Sequence, residues 1–341
     1  MRYLQWYAFI LLQGRANMNK TRNIAIIGAG LAGLSAAASL SAAEQMVTLF
    51  DGGMRIGGRL GTEYDADLGA QYFTVRDSAF HHATRDWQSQ GYITEWLPRI
   101  FHYTHEQGLQ PSTDTIMRQV GTPSMQALAE HLALDYHIHP LTIQRLQRTE
   151  TGQWLLMAAH DQTFGPFDQV IIATAPADAS ALLEVAPQLQ SSVKQVSMLP
   201  CWSMAVYFSA PLPTEVDACF VRTGGLDWIA RNNSKPNRPA TEVWVLQSTA
   251  DWAQAHTDTD PQQVARELLT AMGKVLDLPM LSPTATHTHF WPAAKSADVL
   301  QWGALAAPEL GLYVCGDWCM GGRVENAWLS GRQAAQALLD S

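Results

Sequence analysis

A glycine-rich turn between an apolar run and a run of small residues constrains the fold of this chain more than any other feature. Residues Ile24–Ile27 are apolar, and the turn G-A-G-L-A-G follows directly. Its G-x-G-x-x-G spacing joins a strand to a helix in dinucleotide-binding folds, where the glycines permit the turn, admit a pyrophosphate and let the helix pack closely. The spacing predicts an α/β fold with a Rossmann-type domain and cofactor contacts from Gly28, Ala29, Gly30, Leu31, Ala32 and Gly33.

A second apolar run ends in an acid at the position expected for ribose binding. Residues Val47–Phe50 are followed by Asp51, about 20 residues after the glycine turn. An acid at this position accepts hydrogen bonds from the adenosine ribose, so Asp51 is the predicted ribose ligand. Glu44 is the next candidate, and a glycine-rich turn in a different α/β fold is the alternative interpretation.

Two further motifs indicate which dinucleotide is bound. The sequence R-I-G-G-R occupies residues 55–59, and Gly316-Asp317 lies near the C-terminus. Together they resemble the flavoprotein branch of the fold, the amine-oxidase and glutathione-reductase-like families. In those families the first motif lies over the phosphates, and the second holds the ribityl chain and pyrophosphate. The resemblance implies FAD rather than NAD as the tightly held cofactor, with contacts from Arg55, Gly57, Gly58, Arg59, Gly316 and Asp317.

Two other segments are predicted to touch the flavin. Asp67–Thr74 contains an acid, a glycine and two aromatic residues, which indicates backbone held against a ligand. A strand leaving a turn would explain the same segment without a ligand. A helix beginning after Gly321-Gly322-Arg323 would present free N–H groups to the pyrimidine oxygen of a flavin. These segments add Ala70, Gln71, Val324 and Glu325 to the predicted cofactor contacts.

The composition excludes several classes of function. With 47% hydrophobic and 16% charged residues, the chain is predicted to be a globular enzyme. A net charge of −9 without a cluster of lysine and arginine argues against a nucleic-acid partner. Four cysteines in 341 residues are too few for a disulfide scaffold, which predicts reduced thiols and a cytoplasmic protein. Paired histidines such as His287 and His289 lack a third ligand nearby, so no metal site is predicted.

The first seventeen residues are predicted to lie outside the fold. Tyr3–Leu12 is apolar and follows Arg2, so it resembles the start of a signal peptide. The run lacks a small-x-small cleavage site and is too short to span a bilayer, so no membrane partner is predicted. Met18 stands shortly before the first strand, where proteins of this type usually start. We therefore expect residues 1–17 to be an upstream extension.

The middle of the chain predicts a second domain. Between Gln188 and Pro292 the sequence is rich in tryptophan, proline and β-branched residues, and Pro261–Leu276 has the periodicity of an amphipathic helix. This pattern predicts a mixed α/β substrate domain, an antiparallel sheet with helical cover, inserted into the FAD-binding domain. The FAD-binding domain is predicted to comprise residues 18–80, 134–187 and 296–341, and the substrate domain residues 81–133 and 188–295.

Segments centred on tryptophan carry a more specific resemblance. They include Pro200-Cys201-Trp202, Trp228–Pro236, Trp244–Trp252 and residues 316–331. With Asp67–Thr74, they resemble the renalase family, in particular its bacterial members, within the amine-oxidase superfamily. The resemblance covers nearly all of the chain from Ile24 onward. One departure is Pro292, which follows Trp291 where the family usually has a basic residue.

The resemblance implies a particular reaction. Renalase-like proteins bind FAD noncovalently and oxidise dihydronicotinamide isomers whose hydride sits on the wrong ring carbon. The implied reaction transfers hydride from a reduced nicotinamide dinucleotide to flavin N5 and then passes the electrons to oxygen, which gives hydrogen peroxide. Because such a donor needs a flat and dry slot, we expect Trp291, Trp202 and Tyr72 to form one.

Two other functions fit the same motifs. The chain could be another flavoenzyme of the superfamily, an amine oxidase or a desaturase, in which Lys295 could be the lysine near the flavin. It could also bind flavin without turnover, as a sensor or a scaffold. Reduction of the flavin by a panel of donors would separate these alternatives.

Overall fold

The computed structural model describes residues 21–53, 55–278 and 280–341. The predicted extension, residues 1–17, lies outside the described residues. In chain order the α-helices are α1 (Leu31–Ala42), α2 (Ser78–Ser89), α3 (Met125–Ala133), α4 (Pro176–Leu182), α5 (Pro187–Val193), α6 (Ala250–Ala255), α7 (Pro261–Val275) and α8 (Val324–Leu339). Among the described residues, no helix combines the length and the apolar character that crossing a membrane requires.

The strands form two large sheets and three small ones. In chain order they are β1 (Asn23–Ile27), β2 (Met46–Phe50), β3 (Thr62–Glu63), β4 (Ala66–Asp67), β5 (Ile93–Trp96), β6 (Ile100–Thr104), β7 (Gly108–Pro111), β8 (Arg118–Gly121), β9 (Ile138–His139), β10 (Ile143–Arg148), β11 (Trp154–Ala158), β12 (Thr163–Phe167), β13 (Gln169–Ile172), β14 (Met198–Phe208), β15 (Ala218–Thr223), β16 (Leu226–Arg231), β17 (Glu242–Ser248), β18 (Ala285–Ser296), β19 (Leu305–Ala307) and β20 (Leu312–Val314).

The first large sheet is the predicted Rossmann-type sheet. Its order is β19-β20-β13-β1-β2-β9, and β1 pairs in parallel with both β2 and β13. β20 is parallel to β13, whereas β19 runs antiparallel at the edge. The carboxyl ends of β1, β2, β13 and β20 therefore meet at one edge of the sheet, where α/β folds bind their ligands.

Two glycines explain why the turn after β1 can form. Gly28 has φ of +108°, and an added Cβ would lie 2.6 Å from the carbonyl oxygen of Ala173, so a side chain would be strained and crowded. A Cβ at Gly33 would overlap the carbonyl oxygen of Gly28. The absence of both side chains lets α1 pack directly against the start of the turn, as the spacing predicts.

The second large sheet has the order β18-β14-β17-β16-β15-β6-β7. Its pairs are antiparallel except for β15 and β6, which run in parallel. Helix α7 covers one face with Val264, Leu268 and Met272, which share a core with Trp202 and Leu246. The other face, called here the inner face, bears Cys201, Phe220, Gln247 and Trp291. The predicted fold class, a Rossmann-type domain with a mixed α/β domain, is confirmed.

The predicted domain limits cut through continuous packing at two places. The limit after residue 80 falls inside α2, whose Phe80 and Trp87 pack in one core with Trp328 of α8. Helix α3 was assigned to the substrate domain, but Leu128 and Ala129 pack in that same core with α1. The limits themselves stay a prediction, since both elements bridge the two sheets.

Candidate active site

A cavity of about 880 Å³ lies between the carboxyl edge of the parallel sheet and the inner face of the seven-stranded sheet. On one side it is lined by the turns that follow β1, β2, β13 and β20. On the other side it is lined by side chains of strands β14 to β18, by Tyr72, and by Arg118 of β8 with Asp114 before it. We refer to these as the cofactor side and the substrate side.

Most of the predicted cofactor contacts line this cavity. They come from both ends of the chain and are Gly28, Gly30, Leu31, Ala32, Asp51, Gly57, Gly58, Arg59, Ala70, Gly316, Asp317, Val324 and Glu325. Four others do not line it. Ala29 and Gly33 are buried in the turn, and Gln71 is buried behind the wall with its amide donating to the carbonyl oxygens of Asp67 and Gly69. Arg55 is exposed and donates to the carbonyl oxygen of Thr62 at 3.2 Å.

Two open glycine positions and one buried hydroxyl on the cofactor side fit a bound dinucleotide. A Cβ added at Gly30 or at Gly58 would meet no atom within 4 Å, so the protein itself leaves these positions open. The hydroxyl oxygen of Thr174 is buried and has no hydrogen-bond partner among the described residues, although it lines the cavity. Buried polar atoms are rarely left without a partner, so this hydroxyl is suited to a ligand. Thr174 was not predicted as a contact, although the buried strand before it ends at the ligand-binding edge.

The carboxylate of Asp51 is oriented by two backbone donors. Its oxygens accept hydrogen bonds from the N–H of Ala29 at 2.5 Å and from the N–H of Gly53 at 2.7 Å. These bonds tie the acid at the end of β2 to the glycine turn after β1. The ribose role of Asp51 stays a prediction, and its position on the cavity wall is compatible with it.

An ion pair joins the two motifs that resemble those of flavoproteins. The guanidinium of Arg59 contacts both carboxylate oxygens of Asp317, at 2.5 and 3.0 Å. Arg59 also donates to the carbonyl oxygen of Ala294 at 3.4 Å. Both charged side chains line the cavity, so residues far apart in sequence form one continuous cofactor wall.

The side chain of Glu325 is committed to the protein. Glu325 is buried, and one carboxylate oxygen accepts from the backbone N–H of Arg76 at 2.6 Å and of Asp77 at 2.7 Å. Glu325 therefore fixes the segment before α2 against the start of α8. Any contact of Glu325 with the cofactor is left to its backbone, at the positively polarised end of the helix.

The two predicted slot tryptophans lie on opposite faces of the seven-stranded sheet. Trp291 lines the cavity, and its indole N–H donates to the carbonyl oxygen of Leu68 at 3.0 Å. Trp202 is only 5% exposed, and its indole N–H donates to the carbonyl oxygen of His256 at 3.1 Å beneath the helical cover. Because side chains alternate along a strand, Cys201 faces the cavity and Trp202 cannot. The prediction that Trp202 forms part of the slot is therefore wrong, and Trp202 belongs to the core beneath the helical cover.

Tyr72 lines the cavity beside a buried arginine that the sequence did not reveal. The guanidinium carbon of Arg118 lies 4.9 Å from the centroid of the Tyr72 ring. Arg118 is 3% exposed and forms an ion pair with Asp114, and both also line the cavity. Neither belongs to a recognisable motif, so only the folded chain brings them to Tyr72.

Three more charged side chains face the cavity from β15, β16 and β18. Lys295 lies 3.8 Å from the carboxylate of Asp227. Arg222 lies over the ring of Phe220, with 5.3 Å between the guanidinium carbon and the ring centroid. Among the described residues, Arg222 has no ion-pair partner. With Arg118 and Asp114, these groups comprise three cations and two carboxylates, and Arg222 is the cation beside which the described residues place no opposite charge.

A buried cluster of charges supports the cavity wall from behind. Asp67 accepts from Lys235 at 3.0 Å and from Arg238 at 2.8 Å, and all three side chains are buried. Burial alone would raise the pKa of Asp67, but the two cations and the N–H of Met125 lower it to about 2. Burial lowers the pKa of Lys235 to about 8, against the attraction of Asp67. The cluster holds the segment 67–71, whose Gly69 and Ala70 line the cavity.

The fold and the cavity together define an FAD-dependent oxidoreductase, and comparisons with known proteins agree. Residues 125–339 match the family described as flavin containing amine oxidoreductase, which is more than half of the chain. Residues 26–109 match the NAD(P)-binding Rossmann-like domain. The protein belongs to the flavin-containing amine oxidoreductase family, and its cofactor is FAD.

Solved structures of low sequence identity share the fold. Cyclohexylamine oxidase from Brevibacterium oxydans IH-35A matches with a TM-score of 0.74 at 13% identity, covering 94% of this chain and 99% of that one. Putrescine oxidase bound to putrescine matches with a TM-score of 0.69 at 12% identity, covering 94% of this chain and 100% of that one. At these identities the likeness concerns the fold and leaves the substrate to be argued from the site.

Proposed function

We propose that this protein is a renalase-like oxidase of reduced nicotinamide dinucleotides, specifically of isomers whose hydride sits at an unusual ring carbon. The cavity would hold FAD noncovalently, and the flavin would supply a hydride acceptor whose electrons pass to dioxygen, which would give hydrogen peroxide. The resemblance of the tryptophan-centred segments supports this proposal. The observation that carries it is the substrate side of the cavity, where aromatic rings stand near Arg222, a cation without an ion-pair partner among the described residues.

The aromatic surface suits a flat and uncharged ring. Trp291 is fixed by its bond to the carbonyl oxygen of Leu68, and its ring packs on Gly61, where an added Cβ would lie 3.2 Å away. Such a fixed ring can orient a dihydropyridine and exclude water from it. Loss of hydride restores the aromaticity of that ring, so the reaction needs no general base. The thiol of Cys201 fits this requirement, because burial raises its pKa and keeps it neutral.

The charges of the substrate side favour an anionic substrate over a protonated amine. Each carboxylate there has a cationic neighbour, since Asp114 pairs with Arg118 and Asp227 lies 3.8 Å from Lys295. Arg222 is left to interact with a ligand. A dinucleotide carries two negative phosphates that Arg222 would attract, whereas the same side chain would repel an ammonium group.

Reduction of the flavin in the absence of oxygen tests the proposal. Purified holoenzyme is mixed with 2-dihydro and 6-dihydro isomers of NAD and NADP, with ordinary NADH, and with cyclohexylamine and putrescine. We expect rapid bleaching by one or both isomers and, in air, one hydrogen peroxide for each donor consumed. Ordinary NADH is the matched control, because it differs only in the position of the hydride.

Two other outcomes would replace the proposal. Bleaching by an amine but by none of the dihydronicotinamides would identify an amine oxidase, the activity that two proteins of the same fold carry in their names. A flavin that stays oxidised with every donor would identify a protein that binds FAD without turnover.

A further inference from the structure

Arg118 is an unusual residue to find buried in a cavity wall. It begins β8 and is 3% exposed, although burial of a guanidinium is unfavourable unless every donor is matched. One terminal nitrogen donates to the carbonyl oxygen of Ile116 at 2.8 Å, and the other pairs with Asp114. Its Nε has no hydrogen-bond partner among the described residues. Arg118 thus lines the cavity and carries one buried donor without a partner among the described residues.

Asp114 supplies an acceptor directly beside that donor. One carboxylate oxygen accepts from the N–H of Ile116 at 2.7 Å, and the other pairs with Arg118. The bond from Ile116 and the pair with Arg118 hold the pKa of Asp114 below its usual value, so the side chain is ionised at neutral pH. Its side chain is partly exposed to the cavity and retains free acceptor capacity.

The protein holds this donor and acceptor next to an aromatic ring. The backbones of Phe73 and Gln119 exchange two hydrogen bonds, of 2.9 and 2.8 Å. Because this bridge is antiparallel, the residues that precede Phe73 and Gln119, Tyr72 and Arg118, lie diagonally across it on the same face. The arrangement therefore combines a ring surface, a cationic donor and an anionic acceptor at one place on the substrate side.

We propose that Asp114 and Arg118 recognise the carboxamide group of the dihydronicotinamide ring and reject the corresponding carboxylate. A primary carboxamide offers one acceptor oxygen and an NH2 donor, which complement Arg118 and Asp114 respectively. A nicotinic acid ring would instead place a carboxylate against that of Asp114. The pair is thus a specificity determinant, and its assignment rests on the function proposed above.

The test compares two donors in the parent and in Asp114→Asn. The donors are borohydride-reduced NAD and borohydride-reduced nicotinic acid adenine dinucleotide, which share the diphosphate and differ in carboxamide or carboxylate. The measured quantity is the ratio of kcat/KM for the carboxylate donor to that for the carboxamide donor. Loss of one charge repulsion or one charge-assisted bond corresponds to about a tenfold change, so we expect Asp114→Asn to raise the ratio about tenfold.

Asp227→Asn is the matched control, because it removes the other carboxylate of the substrate side. Both donors carry the same phosphates, so the ratio should stay within about twofold of the parent. A ratio that rises equally in both variants would show a general electrostatic effect and overturn the proposal. A ratio unchanged in Asp114→Asn, with both donors still active, would also overturn it and would leave the proposed function standing.

Arg118→Lys provides a second variant in case Asp114→Asn does not fold. Lysine keeps the charge opposite Asp114 but loses the planar group and its Nε donor. We expect about a tenfold loss of kcat/KM for the carboxamide donor at unchanged FAD occupancy. An unchanged value would overturn the role of Arg118. Failure of the parent to oxidise any dihydronicotinamide would overturn the proposed function and, with it, this assignment.

Discussion

The two sides of the cavity are built in different ways. On the cofactor side, recognisable sequence motifs form the wall, both locally, as when Asp51 accepts from Ala29 and Gly53, and across the chain, as when Arg59 pairs with Asp317. On the substrate side, strand register and contacts outside any recognisable motif place the groups, as when Trp291 donates to Leu68. The difference teaches that changes on the cofactor side should alter FAD affinity, and changes on the substrate side should alter the oxidation of the donor.

The buried cluster of Asp67, Lys235 and Arg238 lies where the two sides meet. Asp67 also accepts from the N–H of Met125 at 2.9 Å and from the hydroxyl of Thr62 at 2.8 Å. It therefore ties β4 and the start of α3 to the loop that follows β16. We therefore expect this cluster to contribute more to the free energy of unfolding than the exposed pair of Lys295 and Asp227 in the cavity wall.

Replacement of Asp67 should produce the largest effect. Asp67→Asn leaves Lys235 and Arg238 buried without a counter-charge, which typically costs about 3–5 kcal/mol in the free energy of unfolding. Urea unfolding of the holoenzyme measures the change. Asp227→Asn serves as the control, because its partner Lys295 is 53% exposed and a surface pair contributes about 1 kcal/mol or less. Equal losses in the two variants would contradict the distinct role of the cluster.

Loss of the Trp291 ring should impair donor oxidation without loss of FAD. A donor carbon misplaced by about 1 Å reduces the rate on the order of 100-fold, so Trp291→Ala should slow flavin bleaching by that factor at matched FAD occupancy. Trp202→Phe is the control from the opposite face of the sheet and should bleach at the parent rate. Parent-like bleaching by Trp291→Ala would return this residue to a packing role at the junction of the sheets.

Replacement of Asp51 should weaken FAD binding without slowing the oxidation of the donor. If it accepts ribose hydroxyl bonds, Asp51→Ala removes charge-assisted bonds of about 1.5–3 kcal/mol each, and the FAD dissociation constant should rise tenfold or more. Titration of the apoprotein with FAD measures this constant, and the bleaching rate of the saturated variant should match the parent. Unchanged affinity in Asp51→Ala with a loss in Glu44→Ala would move the ribose site to the end of α1.

The same contrast explains what could be predicted from the sequence. The glycine turn, Asp51 and the Arg59 and Asp317 motifs are local patterns whose physical requirements are visible in a few consecutive residues. Trp202 was misplaced because the register of β14 decides which face a residue occupies, and that register is set by pairing with β18. Arg118 gave no signal, since its burial and its contact with Tyr72 exist only in the folded chain.

In the buried cluster the pKa values of Asp67 and Lys235 are both lowered, but the two shifts have opposite effects on stability. The lowered pKa of Asp67 shows that its charged form is favoured in the fold, whereas the pKa of Lys235, lowered to about 8, shows that its charged form is disfavoured. The two cations lower the pKa of Asp67 against the effect of burial, whereas burial is the main cause of the lowered pKa of Lys235. Repulsion by Arg238 adds to the effect of burial on Lys235, and the attraction of Asp67 offsets only part of it.

The contribution of Lys235 to stability should depend on pH with a definite sign. Above pH 8 the folded protein releases the proton of Lys235, while the unfolded chain keeps it up to the ordinary lysine value of 10.5. The unfolded state then binds more protons, so the contribution of Lys235 to stability rises with pH in this window and is constant below it. From pH 8 to 9 the free energy of unfolding of the parent should rise by about 1 kcal/mol relative to that of Lys235→Met.

Urea unfolding of both proteins at pH 7, 8 and 9 measures this difference and cancels the titration of the buried cysteines, which is common to both. Lys194→Met is the control, since Lys194 is exposed and bonds only to Gln190, at 3.1 Å; its difference from the parent should not depend on pH. A difference for Lys235→Met that is flat or falls with pH would mean that Asp67 retains the proton on Lys235. Both cations of the buried cluster would then stay charged beside Asp67, and the cluster would differ from the exposed ion pairs only in its burial.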